Sequence, residues 1–255
     1  MSARSPLLDA DAPSRPGGHH GRRQPHPGCE GCLTRSLAVC AALPAADTAE
    51  MEQAAGELRI QAGATLAREG AVRRDVYTVT RGMLRRVRLL PDGRRLVAGF
   101  LMAGDFIGFS GASHYRHTFE AVTDCALCVF SLQDMQQLCR SHPELEAGML
   151  RQACAELDST RSSLMTLARL TPVERLAGFL LDMAARQQRL GACADRVDLP
   201  MTRNDIADHL GLTIETVSRC FTRLKQDGMI EFDAPRLIAL VQPAQLQTLA
   251  GSQAE

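Results

Sequence analysis

Three cysteines near the amino terminus stand close enough together to share one inorganic site. Cys29, Cys32 and Cys40 fall within 12 residues, with two residues between the first pair and seven before the third. Zinc and iron–sulfur centres both use thiolate ligands and are usually closed by four donors. The spacing therefore predicts a zinc site or a 4Fe–4S cluster without deciding between them. It leaves the fourth ligand open, and His20 and His26 are alternative donors.

A second set of polar residues has the spacing of a DNA-reading helix. Glu215, Ser218, Arg219 and Thr222 recur at intervals of three and four residues, so they share one face of a helix that begins at Thr213. An arginine can fork onto the edge of guanine, a glutamate can accept from the amino group of cytosine, and a serine can bond a base or a phosphate. This pattern is typical of residues that enter the major groove.

The preceding segment completes a helix-turn-helix. Thr202 and Asp205 have the spacing of a capping box, and Gly211 can adopt the positive φ that ends a helix. Two helices joined by such a turn present the second one to DNA. We expect Thr202, Arg203 and Thr213 to lie at the DNA surface, with Arg203 gripping a phosphate.

The opposite face of the second helix carries apolar residues at helical spacing. We predict that this face packs on the first helix through Ile214, Val217, Phe221 and Leu224. After Gly228, two short apolar runs around a proline-containing turn predict the paired strands of a wing.

The rest of the chain must position the cysteines and the DNA-reading residues. Short apolar runs between Glu57 and Ser131, separated by glycine turns, predict a small antiparallel barrel or roll. One helical pattern then runs from Glu144 to Leu170, which is about 39 Å of helix. We interpret this helix as the coiled-coil seam of a dimer, with an intramolecular core helix as the alternative. The predicted seam residues are Met149, Ala153, Leu157, Leu164 and Leu167.

Together, the order of these elements and three sequence stretches resemble the Crp/Fnr superfamily, most closely its FNR branch. The stretches are GDFIGF, LTPVERLAGFLLDM and LPMTRNDIADHLGLTIETVSRCFTRLKQDGMIEF. The resemblance implies an α+β fold: an N-terminal antiparallel β-roll of the cyclic-nucleotide-binding jelly-roll type, a long dimerisation helix and a C-terminal winged helix-turn-helix. It also implies a homodimer that binds palindromic double-stranded DNA with TTGAT-like half-sites and contacts RNA polymerase.

The resemblance also bears on the cysteines. It implies one 4Fe–4S cluster per subunit on Cys29, Cys32, Cys40 and Cys128, with Cys125 as an extra thiol, and oxygen-responsive control of anaerobic or microaerobic genes. The seven-residue gap resembles FnrN/FnrL-type and cluster-bearing FixK proteins more than enteric FNR. The alternative is a cluster-free regulator of the same fold, either constitutive or dependent on thiols or zinc. The stretch 108–121 lacks the Arg-Ser or Arg-Thr pair of cyclic-nucleotide binders, so no cyclic nucleotide is expected.

Composition narrows the class of protein further. The formal net charge is zero, which argues against a general polyanion coat, and no apolar run suggests a membrane span or a secretory signal. We therefore expect a cytoplasmic protein, and the absence of a nucleophile–base pair or phosphate loop argues against an enzyme. We predict five regions: a disordered tail (1–28), a cysteine arm (29–48), the β-roll (49–143), the dimerisation helix (144–170) and the DNA-binding domain (171–255).

Overall fold

The computed structural model describes residues 24–25, 28–29, 31–44, 47–110 and 112–251, with the side chains of 24–25 and 163–168 outside that description. The N-terminal half is mostly strand, and its elements are β1 (Gln24–Pro25), α1 (Thr48–Ala54), β2 (Gly56–Ile60), β3 (Thr65–Ala67), β4 (Asp75–Arg81), β5 (Leu84–Leu89), β6 (Arg95–Leu101), β7 (Phe106–Ile107), β8 (Thr118–Ala121) and β9 (Cys125–Ser131). The C-terminal half is mostly helix, and its elements are α2 (Leu132–Ser141), α3 (Pro143–Arg169), α4 (Pro172–Arg189), β10 (Arg196–Asp198), α5 (Arg203–Leu210), α6 (Ile214–Gln226), β11 (Ile230–Phe232), β12 (Leu237–Leu240) and α7 (Pro243–Leu249).

Two antiparallel sheets form the β-roll. Their strand orders are β1-β2-β9-β4-β7 and β3-β8-β5-β6, and every pairing is antiparallel. Because side chains alternate between the faces of a strand, each sheet presents one apolar face to the other. The shared interior includes Leu58 and Leu127 from the first sheet and Leu84 and Phe119 from the second.

A second apolar cluster joins the outer side of the first sheet to the helices around it. It contains Val76 and Phe130 from the sheet, Met135 from α2 and Leu145 from α3. The helix α3 is 27 residues long, which corresponds to about 40 Å. It runs over nearly the range that the helical pattern predicts.

The C-terminal domain begins after a two-residue junction at Leu170 and Thr171. Thr171 caps α4 in a capping box with Glu174, and Pro172 takes the first helical position, where its missing N–H costs no hydrogen bond. Strands β11 and β12 pair as the predicted wing, and β10 extends them into a three-stranded sheet. Neither β10 nor α7 was predicted. The α+β fold class is confirmed.

A third apolar cluster continues from the β-roll into the DNA-binding domain. Val87, Val97 and Phe100 of strands β5 and β6 belong to the same buried cluster as Leu176 and Ile206 of α4 and α5. The hairpin β5–β6 therefore packs directly against the helix-turn-helix. None of the helices in the described part of the chain is long and apolar enough to cross a membrane.

Candidate DNA-reading surface and cysteine site

The turn between α5 and α6 is held by the residues that the sequence indicated. Asp205 N donates to Thr202 Oγ1 at 3.1 Å, and Thr202 N donates to Asp205 Oδ2 at 3.1 Å, which completes the capping box of α5. Gly211 ends the helix at a φ of 65°. Thr213 then caps α6 by accepting from Thr216 N at 3.2 Å. The capping side chains are therefore committed to shaping the turn, and any contact of Thr202 or Thr213 with DNA stays a prediction.

The inner face of α6 differs from the predicted face at its first residue. Val217, Phe221 and Leu224 are buried as expected, and Cys220 is buried beside them. Ile214 is 41 % exposed, so the prediction that it packs on the first helix is wrong. It occupies the first helical position, one turn before the stretch of α6 that is packed into the core.

The outward side chains of α6, Glu215, Ser218, Arg219 and Thr222, form a continuous exposed surface that we call the reading face. Ser218 Oγ donates to Ile214 O at 2.8 Å, and Thr222 Oγ1 donates to Ser218 O at 3.0 Å. Because each hydroxyl hydrogen is committed to the helix backbone, both oxygens face outward as acceptors. They are arranged to accept from a base amino group.

The two charged residues of the reading face are suited to opposite partners. The pKa of Glu215 lies below its usual value, first because of a hydrogen bond from its own backbone N–H and then because of Thr213 and the nearby Arg219. Glu215 is therefore an ionised acceptor at neutral pH. Arg219 Nε lies 3.5 Å from Glu215 O, and its guanidinium remains exposed. The pair can discriminate cytosine from guanine by donor and acceptor pattern.

Arg203, which we predict to grip a DNA phosphate, is held at this surface by two aromatic rings. Its guanidinium carbon lies 3.4 Å from the ring centroid of Phe221 and 5.5 Å from that of Phe232 in the wing. Burial lowers its pKa, and its NH1 atom is buried without a hydrogen-bond partner among the described residues. The stack ties the start of α5 to α6 and to the wing, beside an open groove of about 620 Å³ that Lys225 also lines. Arg203 therefore has a structural role at this surface, whatever it contacts on DNA.

In the cysteine arm (29–48), residues 31–44 form a series of tight turns against the β-roll. Two 3-10 turns cover Arg35–Leu37 and Val39–Ala42. Cys40 Sγ lies 3.8 Å from Arg35 O, and the guanidinium of Arg35 donates to Leu43 O at 2.8 Å. The backbone N–H of Cys29 is bonded to the carboxylate of Glu52 in α1. His20 and His26 lie outside the described residues.

The two cysteines of strand β9 face opposite sides of the sheet. Cys125 points into the roll, where its thiol donates to Met83 O at 3.3 Å and to Thr123 O at 3.2 Å. Cys128 lies three residues on and packs against the other apolar cluster, as Cys40 of the arm does. Only one cysteine of β9 therefore lies on the side that the arm covers, and it is the one the resemblance implied.

The thiols of the arm and of Cys128 influence one another electrostatically. Burial, followed by nearby Cys32, Cys40 and Cys29 in that order, raises the pKa of Cys128 to about 12. Burial, followed by Glu52 and by Cys40 and Cys32, raises the pKa of Cys29 to about 11. The structure thus brings together the four cysteines that were predicted as ligands. Ionising them requires a compensating positive charge, because each thiolate disfavours the ionisation of the neighbouring thiols.

The spacing of these thiols bears on what they can hold. Among the residues that the structure describes, no three cysteine sulfur atoms lie within 4.8 Å of one another. Thiolates on one tetrahedral zinc ion, at Zn–S distances of about 2.3 Å, lie only about 3.8 Å apart. The four thiols therefore converge without the close approach of a single-ion site.

The cysteine arm also packs on the long helix. Gly148 of α3 lies against the second 3-10 turn, where a Cβ at that position would come 2.7 Å from Ala42 Cβ. One turn further along, Gln152 Nε2 donates to Leu37 O at 3.3 Å and to Gly104 O at 3.2 Å. The same helix therefore contacts the arm directly.

The predicted seam residues do not share one environment. Met149 packs against the apolar cluster of its own β-roll, with its sulfur 3.6 Å from Cys139 Sγ, and Ala153 is half-buried. Leu157 is 50 % exposed, and Leu150, which was not predicted, is 65 % exposed. The side chains of Leu164 and Leu167 lie outside the description. The exposed apolar stripe of α3 thus begins at Leu150, and Met149 instead anchors the helix to the roll.

A small cavity in the β-roll lies between the sheets and α3. Its volume is about 110 Å³, below the range of about 300–1,000 Å³ that is usual for ligand pockets. Arg73, on its wall, donates to the backbone oxygens of Gly108, Ser110 and Ala112. Arg86, also on its wall, is paired with Glu156 of α3. Both cations are thus bound to the protein itself.

Comparison with known proteins agrees with this architecture. Residues 57–142 match the family model of the cyclic nucleotide-binding domain, and residues 174–249 match that of the Crp-like helix-turn-helix domain. The chain is 36% identical over 224 residues to the nitrogen fixation regulation protein FixK of Bradyrhizobium diazoefficiens, covering 88% of this chain and 94% of that one. It is 32% identical over 231 residues to the transcriptional activator protein FnrL of Cereibacter sphaeroides, covering 89% and 93%.

A solved structure supports the same assignment. FixK2 from Bradyrhizobium japonicum superimposes with a TM-score of 0.73 at 31% sequence identity, covering 78% of this chain and 99% of that one. The two family models match the β-roll and the helix-turn-helix whose geometry is described above. The chain belongs to the Crp/Fnr family of transcription regulators, which are DNA-binding proteins and not enzymes.

Proposed function

We propose that this protein is an oxygen-responsive regulator that binds palindromic DNA as a homodimer while its four cysteines hold a 4Fe–4S cluster. The observation that carries the proposal is the convergence of Cys29, Cys32 and Cys40 with Cys128, on the side of β9 away from Cys125. Three of these cysteines belong to the arm and one to the roll. A shared group would therefore fasten the arm to the roll.

The donor set fits an iron–sulfur cluster. All four donors are thiols, the ligand type that holds a 4Fe–4S cluster and that a zinc site with four cysteine ligands shares. Bound there, the cluster would supply a group whose integrity depends on oxygen. The protein supplies the buried surroundings and the hydrogen bond from Cys29 N to Glu52. It also supplies the guanidinium of Arg35, which offsets part of the rise that burial causes in the pKa of Cys29 and Cys40.

The path from the arm to the dimer is short. The arm contacts α3 at Gly148 and Gln152, and the exposed stripe of the same helix carries Leu150 and Leu157. An arm fixed on the roll therefore holds α3 in one position relative to its β-roll. Release of the arm removes that support, weakens the dimer and separates the two recognition helices.

The reading face supports recognition of TTGAT-like half-sites, one per subunit. Arg219 and Glu215 supply the donor and acceptor for a G·C pair, and the two hydroxyl groups supply acceptors for base amino groups. Activation, as in the name of the relative FnrL, requires a contact with RNA polymerase. The roll loops around Arg73 and Ser113 are candidate surfaces, because hydrogen bonds from Arg73 hold them in a fixed shape.

A cyclic nucleotide is not part of the proposal. The cavity is small, and its Arg73 and Arg86 are bound to loop carbonyls and to Glu156. A cluster-free regulator that responds through its thiols is the second candidate. The pKa of each of three of the site cysteines is raised, which favours protonated thiols wherever no metal is bound.

One experiment separates these candidates. Protein purified without oxygen is examined by visible absorption and for iron and acid-labile sulfide, and its DNA affinity is measured before and after exposure to air. The proposal predicts about four iron atoms per chain, a visible absorption that air bleaches, and a parallel loss of DNA binding. Colourless, iron-free protein that binds DNA equally with and without oxygen would establish the cluster-free candidate.

Serine variants provide the matched controls. Cys40→Ser and Cys128→Ser are expected to lose iron and oxygen-dependent DNA binding. Cys193→Ser, at an exposed thiol in the C-terminal domain, is expected to keep both. Cys125→Ser is expected to keep iron, because its thiol faces the interior of the roll. Equal loss of iron in Cys40→Ser and Cys193→Ser would contradict the assignment.

A further inference from the structure

Five charged residues join the β-roll to the helix-turn-helix. We call them the ion cluster, and they are Arg85 of β5, Arg95 of β6, Glu120 of β8, and Asp205 and Asp208 of α5. The two arginines are separated from the two aspartates by more than 100 residues of sequence. The contact is therefore tertiary and lies between the sensor half and the DNA-binding half of the chain.

Asp205 is the centre of the ion cluster. Its side chain is 2 % exposed, Arg85 NH1 lies 3.0 Å from each of its two oxygens, and Arg95 NH1 lies 2.9 Å from Oδ1. Arg95 NH1 also reaches Asp208 Oδ2 at 2.8 Å, and Arg85 Nε reaches Glu120 at 2.9 Å. Asp205 is at the same time the third residue of α5, whose side chain completes the capping box with Thr202. The carboxylate that binds the two arginines of the roll thus lies in the first turn of α5.

A hydrogen bond and packed aromatic rings accompany the ion pairs. His209 Nδ1 lies 3.0 Å from Val97 O of β6, and its ring packs 5.4 Å from Phe100 and 5.6 Å from Phe179. These residues continue the buried cluster that runs from β5 and β6 into α4 and α5. The hairpin β5–β6 is therefore held on α5 by apolar packing as well as by the ion cluster.

This contact gives the DNA-binding domain a second attachment to the roll. The first attachment is covalent, through the two-residue junction between α3 and α4. Because α6 packs on α5, the orientation of α5 determines that of the reading face. The reading face itself stays exposed while the hairpin is docked. The docked arrangement thus presents the recognition helix and does not cover it.

We propose that the β5–β6 hairpin fixes the orientation of the reading face through the ion cluster, so that Arg95 and Asp208 are positioning residues for DNA binding. A dimer with both domains docked offers two recognition helices at one separation. Loss of the ion cluster weakens this docking and leaves only the apolar contact and the short junction to hold each domain, so the separation becomes variable. The inference rests on DNA reading by the family and not on the cysteine site.

The first test measures shape without DNA. Arg95→Gln removes one cation of the ion cluster, and Arg94→Gln is its matched control, because Arg94 pairs with Asp92 at the tip of the same hairpin. Small-angle X-ray scattering of the full chain is expected to show a larger radius of gyration for Arg95→Gln than for the wild type. The control is expected to match the wild type.

The second test uses duplexes that the wild-type protein selects from a random pool, re-made with the spacer between the half-sites shortened or lengthened by one or two base pairs. The wild type is expected to bind one spacer best. Arg95→Gln is expected to bind that duplex about tenfold more weakly and to lose much of its preference among spacers. A role in stability alone would lower the affinity for every spacer by the same factor.

Asp208→Asn is a milder second variant, since it keeps the shape of the side chain and leaves the capping box of α5 intact. If the pair acts as a unit, the double variant with Arg95→Gln is expected to bind as weakly as the more affected single variant. An unchanged radius of gyration and unchanged spacer preference in both single variants would overturn the proposal. Tighter DNA binding by either would also overturn it, since the docked state would then be inhibitory.

Discussion

The contact between the cysteine arm and α3 makes Gly148 a position where a single methyl group should act on the whole regulator. In a helix, replacing glycine with alanine normally stabilises by about 0.5–1 kcal/mol. At Gly148 the new Cβ would lie 2.7 Å from Ala42 Cβ, and neither atom is the end of a flexible side chain. Overpacking of this kind costs about 1–3 kcal/mol. The contact with the arm should therefore be lost or strained while the helix itself is strengthened.

Gly178 in α4 is the matched control, because a Cβ there would have its nearest neighbour, Ala250 Cβ, at 3.8 Å. Gly178→Ala should raise the free energy of unfolding by about 0.5–1 kcal/mol. Gly148→Ala should fall short of that gain by the cost of the clash, about 1–3 kcal/mol. The difference between the two variants in urea denaturation isolates the arm contact.

The local effect is measured by peptide-resolved thiol labelling of the metal-free protein. Cys40, a residue of the arm whose sulfur lies 3.8 Å from Arg35 O, should react faster in Gly148→Ala than in the wild type or in Gly178→Ala. If the arm supports the dimer, sedimentation should also show a weaker dimer for Gly148→Ala. Equal stability gains in both variants, with unchanged labelling of Cys40, would refute the assignment of this contact.

Four further outcomes follow from side chains of α5, of α6 and of Thr213, which caps α6. Arg219→Lys should weaken binding by about 1–3 kcal/mol and relax specificity at one base pair, measured on single-base variants of the selected duplex. Thr213→Ala should lower the free energy of unfolding by about 1 kcal/mol through loss of the α6 cap, measured by urea denaturation. Arg203→Lys should cost about 0.5–1 kcal/mol by the same measurement, since an ammonium group replaces the stacked guanidinium. Burial lowers the pKa of His209, so below pH 6.5 the unfolded chain binds a proton at this residue and the folded chain does not. The free energy of unfolding, measured by urea denaturation, should therefore fall from pH 7.5 to 5.5. It should fall less in His209→Gln.

The helix-turn-helix could be predicted from sequence because its determinants are local. A capping box needs residues three apart, and a glycine turn needs one position with positive φ, so Thr202, Asp205 and Gly211 identify their own structure. The same locality explains the wrong prediction for Ile214. Helical spacing assigns it to the apolar face, but whether the core extends to the first turn of α6 depends on tertiary packing.

Contacts between distant segments could not be predicted in this way. The stack of Arg203 needs Phe232 from the wing, and the seating of Met149 needs the apolar side of the roll. The missed strand β10 is three residues long and is defined by its pairing with β12. Such features carry no periodic signal, because the partner that defines each of them lies elsewhere in the chain.

The long helix α3 connects the two ends of this regulator. Gly148 and Gln152 contact the cysteine arm near its start, and Glu156 pairs with Arg86 of the hairpin strand β5 one turn further on. In the same strand, Leu84 lies in the roll interior, while its neighbour Arg85 reaches the DNA-binding domain. A shift of α3 that begins at the arm thus meets the hairpin before it reaches the junction with α4. The position of the reading face therefore depends on the arm by two routes. A variant that removes only the ion cluster should leave the arm's effect on dimerisation intact while weakening its effect on spacer preference.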